Sequence, residues 1–422
     1  MHGRMIHGLS SIGSPTQSPQ AYDVHGRHIS AVDRGGLNKR LLDELEKMPN
    51  VKFFFHHKLT GADFQSSKAW FEVRKPGQRS SPGDRAAEIE VSFDLLLGAD
   101  GAHSAARFHM MKYAQMNFSQ EYIDTLWCEF TIPPSPENDF RISPNHLHIW
   151  PAGDFMFIAI PSLDKSFTCT LFGPTSLFEN LTKEKDSHSP LQNLFTKQFP
   201  GVIPDLISRE DLDEQFSRNP RLPLVNIKCS PHHFNSSVVI LGDAANAIVP
   251  FYGQGMNAGL ESVRILFDCI DSAGVYTANS TADEVEKARA AALSAYTAYR
   301  VPDAHCIADL ALQNYIEMRS DLRSPIYKLR KFMEETLDRY TPGLGWATQY
   351  SRVSFGNERY SQVAQQAGRQ GRILAISLVV LGVVGVGYGG LAALRWPRAR
   401  DGMKWLSGWL LKVGSEVEKQ GR

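Results

Sequence analysis

The sequence predicts an α/β fold that also contains a separate, mostly antiparallel sheet. Two apolar strands each run into a glycine-containing turn and a helix, first in residues 93–107 and again in residues 236–270. Between them, residues 120–175 contain alternating or β-rich stretches, which are typical of antiparallel strands. Residues 281–340 follow a helical pattern. We therefore expect a discontinuous α/β domain with an inserted sheet and a helical C-terminal part.

The first hundred residues predict one helix and several strands. Leucines at positions 37, 41, 42 and 45 recur at helical spacing in RGGLNKRLLDELEKM, and the strand-like stretch NVKFFFHHKLTGADF follows. Two further strands are predicted over residues 69–73 and 89–97. In the inserted sheet, the PAGD stretch after HLHIW predicts a hairpin turn.

The bulk composition excludes several classes of protein. The chain has 422 residues, and its 45 basic residues balance 45 acidic ones, so its charge does not indicate a nucleic-acid-binding protein. The five cysteines are scattered without a C-x-x-C pair, so neither a disulfide framework nor a zinc site is expected. His146 and His148 alternate on one strand without a third ligand nearby, and we expect sheet packing there and no metal site.

Residues 373–394 form an uncharged stretch of 22 residues that contains the pattern G-x-G-x-x-G. A dinucleotide-binding loop needs a following helix and an acidic residue about 20 positions further on, whereas only 28 residues follow this stretch. Its length suits a bilayer's apolar core, and arginines flank both ends. We therefore predict a transmembrane helix over residues 373–394 and an amphipathic tail over residues 395–422, with a buried core helix or a nucleotide loop as alternatives.

The motif GDAANAIVPFYGQGMNAG carries the strongest chemical signal. Asp243 ends a β-branched run, where a carboxylate can accept hydrogen bonds from a sugar hydroxyl. Glycines before the next helix let backbone N–H groups approach an anion or an electron-rich ring edge. This arrangement suits a flavin, and a capped turn is the structural alternative. A second motif, DGAHSAAR, follows the strand at residues 93–99.

Taken together, these motifs resemble the single-component FAD-dependent aromatic hydroxylases, the family of p-hydroxybenzoate hydroxylase. Stretches such as LNKRLLDELEKMPNVKFFFHHKL, FPGVIPDL and NYIEMRS resemble its kynurenine 3-monooxygenase branch, from Arg4 to about residue 360. The resemblance implies a p-hydroxybenzoate-hydroxylase-like FAD domain in two parts, residues 1–112 and 229–300. It also implies a substrate-binding sheet domain at residues 113–228 and a helical region at residues 301–372.

The resemblance also assigns residues to ligands. It implies that the substrate is bound by Arg4, which faces its α-carboxylate, and by Tyr22, Asn314 and Tyr350. The pocket beside the flavin would be lined by Pro250, Phe251, Tyr252 and Gln254. FAD would contact Arg34, Leu59, Asp243, Gly255, Met256 and Asn257. No catalytic side chain is expected, because the oxygen adduct of the reduced flavin carries the chemistry.

The reaction implied is the hydroxylation of L-kynurenine to 3-hydroxykynurenine by O2, with NADPH reducing FAD. The branch also implies attachment to the mitochondrial outer membrane through the C-terminal helix, with the catalytic part facing the cytosol. A hydroxylase of another aromatic acid and an inactive membrane-anchored remnant are the alternatives.

The family's N-terminal FAD-binding unit is not found before Arg4 in this sequence. The family begins with a strand, a G-x-G-x-x-G loop and a helix that bind the FAD pyrophosphate. We therefore expect the FAD domain to be N-terminally truncated and the 422-residue chain to bind FAD poorly and to be nearly inactive.

Overall fold

The structure is a computed structural model that describes residues 1–73, 87–183, 189–277, 280–319 and 325–395. The strands in these ranges are β1 (Gly3–Leu9), β2 (Pro15–Ala21), β3 (His57–Asp63), β4 (Lys68–Val73), β5 (Glu88–Ser92), β6 (Leu96–Gly98), β7 (Asn117–Ile132), β8 (His146–Pro151), β9 (Met156–Pro161), β10 (Phe167–Gly173), β11 (Leu222–Ser230), β12 (His233–Phe234) and β13 (Val238–Ile240). The helices are α1 (Arg34–Glu46), α2 (Ala105–Met110), α3 (Thr175–Lys183), α4 (Pro190–Gln198), α5 (Arg209–Arg218), α6 (Asp243–Asn246), α7 (Gly255–Ser272), α8 (Ala282–Arg319), α9 (Pro325–Tyr340), α10 (Gln349–Phe355) and α11 (Tyr360–Arg395).

The largest sheet has seven strands in the order β11-β7-β10-β9-β8-β1-β2. Its pairs are antiparallel except for β1 and β8, which are parallel and set Arg4 opposite Leu147. The predicted antiparallel sheet and its PAGD hairpin between β8 and β9 are confirmed, the turn being closed by the Ala152 N–H donating to the Phe155 carbonyl at 3.0 Å. Because β1 and β2 join this sheet, the strand that carries Arg4 pairs across the domain boundary predicted at residue 112.

A second sheet of three strands, β12-β13-β6, contains the parallel pair of the predicted α/β domain. The predicted apolar strand before Gly242 is confirmed as β13, all three residues of which are buried. A single strand over residues 89–97 is wrong. Its first part, β5, pairs with β4 in a third sheet, whereas β6 pairs with β13, because the chain turns between them and the Phe93 N–H donates to Ser67.

The predicted helix at residues 37–45 is confirmed as α1, but its leucines do not pack into a core. No residue of α1 is buried, and Leu41 and Leu45 are exposed. The strand predicted over the following stretch is shorter than expected and comprises only β3. Helical periodicity therefore predicted the element and not its packing.

The seven-stranded sheet is covered on both faces, and one of the resulting cores contains Phe251 and Tyr252, which were predicted to line the pocket. On one face, Phe130, Phe157 and Phe195 pack among helices α3–α5. The other core joins the sheet to α8 and to the 3-10 turn Pro250–Tyr252, and it includes Phe172 and Phe251. Burial of this much apolar surface is the main source of stability for the region that positions the site.

The predicted membrane span lies in the second half of α11. Side chains beyond Val380 and all of residues 396–422 fall outside the described residues, so most of the span and the whole amphipathic tail lie there. In the part of the chain that the structure describes, no helix combines the length and the apolar composition needed to cross a bilayer.

Candidate active site

Three of the four predicted substrate residues meet at one place. Arg4 lies on β1, Tyr22 directly follows β2, and Tyr350 lies in α10. The Arg4 guanidinium is 4.7 Å from the centre of the Tyr350 ring and 6.0 Å from that of Tyr22. The Tyr22 and Tyr350 rings stack with their centres 5.3 Å apart. The Tyr252 ring also stacks on Tyr350, with the ring centres 5.5 Å apart. The site is therefore a buried cation beside three stacked tyrosines.

Glu317 pairs with Arg4, and the sequence did not single it out. Its Oε1 accepts hydrogen bonds from Arg4 Nη1 at 3.0 Å and from the Tyr327 hydroxyl at 2.7 Å. Burial alone lowers the pKa of Arg4, but the Glu317 carboxylate together with the surrounding tyrosines more than offsets this, so the pKa lies above its ordinary value and Arg4 stays charged. A signal for Glu317 was available, because it lies three residues after Asn314 and so on the same face of α8.

Two hydrogen-bond donors at this site have no partner among the described residues. They are Nε of Arg4 and the hydroxyl of Tyr22, both fully enclosed by protein atoms. Burial raises the pKa of Tyr22, so its hydroxyl keeps its proton and can donate. An unpaired buried donor costs about 1–3 kcal/mol, and such groups are uncommon in folded proteins unless ordered water or a ligand satisfies them. A carboxylate would accept from either donor once the packing around it opens.

Asn314, the fourth predicted substrate residue, uses its side-chain amide nitrogen for a hydrogen bond within the protein. Its Nδ2 donates to the Phe251 carbonyl at 2.7 Å, which fixes the turn Pro250–Tyr252 that was predicted to line the pocket. The Phe251 ring stacks on Tyr315 at 4.2 Å and meets Phe172 edge to face at 4.9 Å. The structure therefore gives Asn314 a positioning contact, and its contact with substrate stays a prediction.

Gln254 is buried at the end of the same turn. Its Oε1 accepts from the Tyr360 hydroxyl at 3.3 Å and from Asn257 Nδ2 at 3.2 Å. Burial raises the pKa of Tyr360 to about 12, so the hydroxyl remains a donor at neutral pH. Pro250, by contrast, is exposed. Gln254 thus joins the pocket-lining turn to α7 and α11.

Four of the six residues predicted to contact FAD lie at or near the start of α7. Asp243, Met256 and Asn257 are exposed, and Gly255 is the first residue of the helix. No side chain caps this helix N-terminus, so its first backbone N–H groups are available to an electron-rich ring edge, and the helix dipole favours negative charge there. Gly242 and Gly253 have φ of +55° and +71°, a conformation that glycine adopts without strain. These residues fit the ring of a reduced flavin.

Arg34 and Leu59 lie elsewhere in the fold. Arg34 is the exposed first residue of α1, and Leu59 lies on β3, packed against the core that contains Phe64. Their proposed contacts with FAD stay predictions. His148, which was predicted to pack in the sheet, accepts through Nδ1 from His7 Nε2 at 2.8 Å, and its own Nε2 donates to Ser143.

The chain matches one family model, described as an FAD binding domain, over residues 3–297. It is 59% identical over 403 residues to the kynurenine 3-monooxygenase of Aspergillus fumigatus, an alignment that covers 95% of this chain and 78% of that protein. It is equally identical, over 400 residues, to kynurenine 3-monooxygenase 3 of Aspergillus niger, with 94% and 79% covered.

Solved structures with the same fold are more distant in sequence. The probable FAD-dependent monooxygenase pqsL of Pseudomonas aeruginosa has a TM-score of 0.53 at 16% identity, covering 78% of this chain and 81% of that one. Klebsiella pneumoniae HpxO, solved with FAD and uric acid, has a TM-score of 0.51 at 16% identity, covering 81% and 79%. These likenesses concern the fold, whereas the identity to the Aspergillus proteins extends along almost the whole chain, and this chain therefore belongs to the kynurenine 3-monooxygenase family of FAD-binding proteins.

Proposed function

We propose that this chain hydroxylates L-kynurenine to 3-hydroxykynurenine, using FAD as its cofactor, O2 as the oxidant and NADPH as the source of electrons. One observation carries the proposal for the substrate: the two unpaired buried donors, Arg4 Nε and the Tyr22 hydroxyl, lie beside three stacked tyrosine rings. A carboxylate has the charge and the lone pairs to accept from both donors. The aromatic rings suit a substrate whose remainder is a planar ring.

Glu317 supports an amino acid over a simple carboxylic acid. It already accepts hydrogen bonds from Arg4 and Tyr327, and its side chain remains 28% exposed, so an oxygen lone pair is accessible. A substrate that brings both an ammonium and a carboxylate leaves the net charge of the site unchanged when it binds. The pair formed by Arg4 and Glu317 therefore complements the two charged groups of an α-amino acid.

The residues around the start of α7 support FAD as the cofactor. The uncapped backbone N–H groups at Gly255, Met256 and Asn257 would face its ring, and the Asp243 carboxylate would accept from a hydroxyl of its sugar chain. Bound FAD would supply the electron transfer and oxygen activation that no side chain of this chain can provide. The packed rings of Phe251, Tyr315 and Phe172 would exclude water from the neighbouring pocket.

Product analysis tests this function. The chain, supplied with FAD, NADPH and O2, is incubated with L-kynurenine or with salicylate, and the products are separated and identified by mass. We expect a product 16 mass units heavier from L-kynurenine, with NADPH consumed in step, in a small yield because weak FAD binding is predicted from the sequence. Hydroxylated salicylate with unchanged L-kynurenine would instead assign the chain to the hydroxylation of another aromatic acid, an alternative that the 59% identity does not favour.

We also propose that residues 373–394 attach the chain to the mitochondrial outer membrane, with the catalytic part in the cytosol. The support is the uncharged sequence of this stretch and its flanking arginines. In intact mitochondria, externally added protease should digest the catalytic part, while alkaline carbonate should leave the C-terminal segment in the membrane pellet. Release of the whole chain by carbonate would refute membrane attachment.

A further inference from the structure

One arginine connects the two chain segments that carry the stacked tyrosines. Asp23 and Ser351 directly follow Tyr22 and Tyr350 in the sequence, and Arg27 binds both of them. Its Nε donates to the Asp23 carboxylate, and its Nη2 donates to Ser351 Oγ at 2.7 Å. Arg27 thus joins the turn after β2 to α10, although 324 positions separate it from Ser351.

Both ends of this connection are fixed within the protein. Asp23 is buried and also accepts from the backbone N–H groups of His25 and Arg27, each at 3.0 Å, so its carboxylate is held by its own turn. Ser351 is buried too, and its N–H donates to Thr348 Oγ1 at the start of α10. Since neither acceptor can move without breaking other hydrogen bonds, a displacement at one end is transmitted through Arg27 to the other.

We propose that Arg27 is a positioning residue for the substrate: by holding Asp23 and Ser351 it sets the relative position of the Tyr22 and Tyr350 rings. This inference rests on the proposed function, because the Tyr22 hydroxyl is one of the two donors assigned to the substrate carboxylate. Arg27 acts through these neighbours, and its guanidinium lies 4.9 Å from the ring of Phe355. A hydrogen bond weakens steeply when its donor is displaced or turned away from the acceptor.

The test measures substrate binding separately from turnover. FAD is added at a concentration well above its own Kd, which is predicted to be high, and the Kd of L-kynurenine is measured by calorimetry for the unmodified 422-residue chain and for Arg27→Met. We expect Kd and KM to rise about tenfold, with kcat and the affinity for FAD each within about twofold of the unmodified protein. A loss that was only structural would lower kcat and FAD affinity together with substrate affinity.

Arg359→Met is the matched control. Arg359 also joins two segments through a buried aspartate, with Nε donating to Asp303 at 2.8 Å and the guanidinium stacked on Tyr299 at 3.9 Å. Its partners belong to α8, and none of them adjoins Tyr22 or Tyr350 in the sequence. We expect this variant to lose a comparable amount of thermal stability while its Kd for L-kynurenine stays within about twofold.

A smaller substitution keeps the test decisive if Arg27→Met does not fold. Ser351→Ala removes only the hydroxyl that accepts from Arg27, and we expect Kd to rise about threefold. Where Arg27→Met does fold, the double variant Arg27→Met/Ser351→Ala should bind no more weakly than Arg27→Met alone, because both changes break one connection. An unchanged Kd in Ser351→Ala, or an equal rise in Arg359→Met, overturns the inference. If the unmodified protein does not bind L-kynurenine, the proposed function fails and the inference fails with it.

Discussion

Replacing Tyr22 by phenylalanine should stabilise the protein and weaken substrate binding at the same time. The Tyr22 side chain is only 3% exposed, and its hydroxyl has no partner among the described residues. Removing an unpaired buried hydroxyl relieves a desolvation cost of about 1–3 kcal/mol, from which we expect a net gain of about 1 kcal/mol in the free energy of unfolding. The same hydroxyl is expected to donate to the substrate carboxylate. A hydrogen bond to a charged group contributes about 1.5–3 kcal/mol, so Kd should rise roughly 10- to 100-fold.

Urea unfolding without substrate and calorimetric titration with L-kynurenine measure the two effects on the same sample. Tyr315→Phe is the control, because the Tyr315 hydroxyl is also buried but is paired with Thr125 Oγ1 at 2.9 Å. Its loss should lower the unfolding free energy by about 1–2 kcal/mol and leave Kd nearly unchanged. If Tyr22→Phe destabilises the protein as Tyr315→Phe does, or leaves Kd within twofold, the assignment of the unpaired donors to a carboxylate is refuted.

Three further predictions address the charges, the cofactor and the pH dependence. Glu317→Gln leaves the buried Arg4 guanidinium without its counter-ion, so the unfolding free energy should fall by about 2–4 kcal/mol. In paired titrations, the preference for L-kynurenine over its analogue lacking the α-amino group should fall about tenfold. An unchanged preference would exclude a contact between Glu317 and the ammonium. Asp243→Ala should raise the Kd of FAD about tenfold by fluorescence titration and change stability by less than about 1 kcal/mol, since the side chain is exposed; equal FAD affinity would remove Asp243 from the flavin site. Burial lowers the pKa of His7 to about 3. Between about pH 6.5 and pH 3, this histidine is therefore protonated in the unfolded chain and neutral in the folded protein. The free energy of unfolding consequently decreases as the pH falls through this window. The loss amounts to about 2 kcal/mol of unfolding free energy between pH 7 and pH 5. Urea unfolding of His7→Phe should therefore show an unfolding free energy that depends less steeply on pH over that range.

The sequence anticipated the parts of the site that lie within one short stretch of chain. The region from Gly242 to Asn257 requires glycines at a turn and a helix start, and both requirements are visible as local patterns. Helix α1 and the hairpin between β8 and β9 were found in the same way, from periodicity and turn residues. Such signals depend on neighbouring residues, and no distant contact is needed to interpret them.

Contacts between distant segments were not visible in the same patterns. Glu317 meets Arg4 across 313 positions, and Arg27 meets Ser351 across 324. The parallel pairing of β1 with β8 and the division of residues 89–97 between two sheets also depend on which strands become neighbours. Charged residues occur throughout the chain, so spacing alone does not identify the pairs that are buried together.

By itself, the sequence determined the local elements of this protein and, through its motifs, the family to which the chain belongs. Only the tertiary structure decided that Arg4 is paired with Glu317, that Tyr22 stacks on Tyr350, and that two buried donors at this site have no partner among the described residues. The physical reason is that periodicity and turn chemistry act over a few residues. Burial and hydrogen-bond satisfaction, in contrast, depend on every segment that packs around a group.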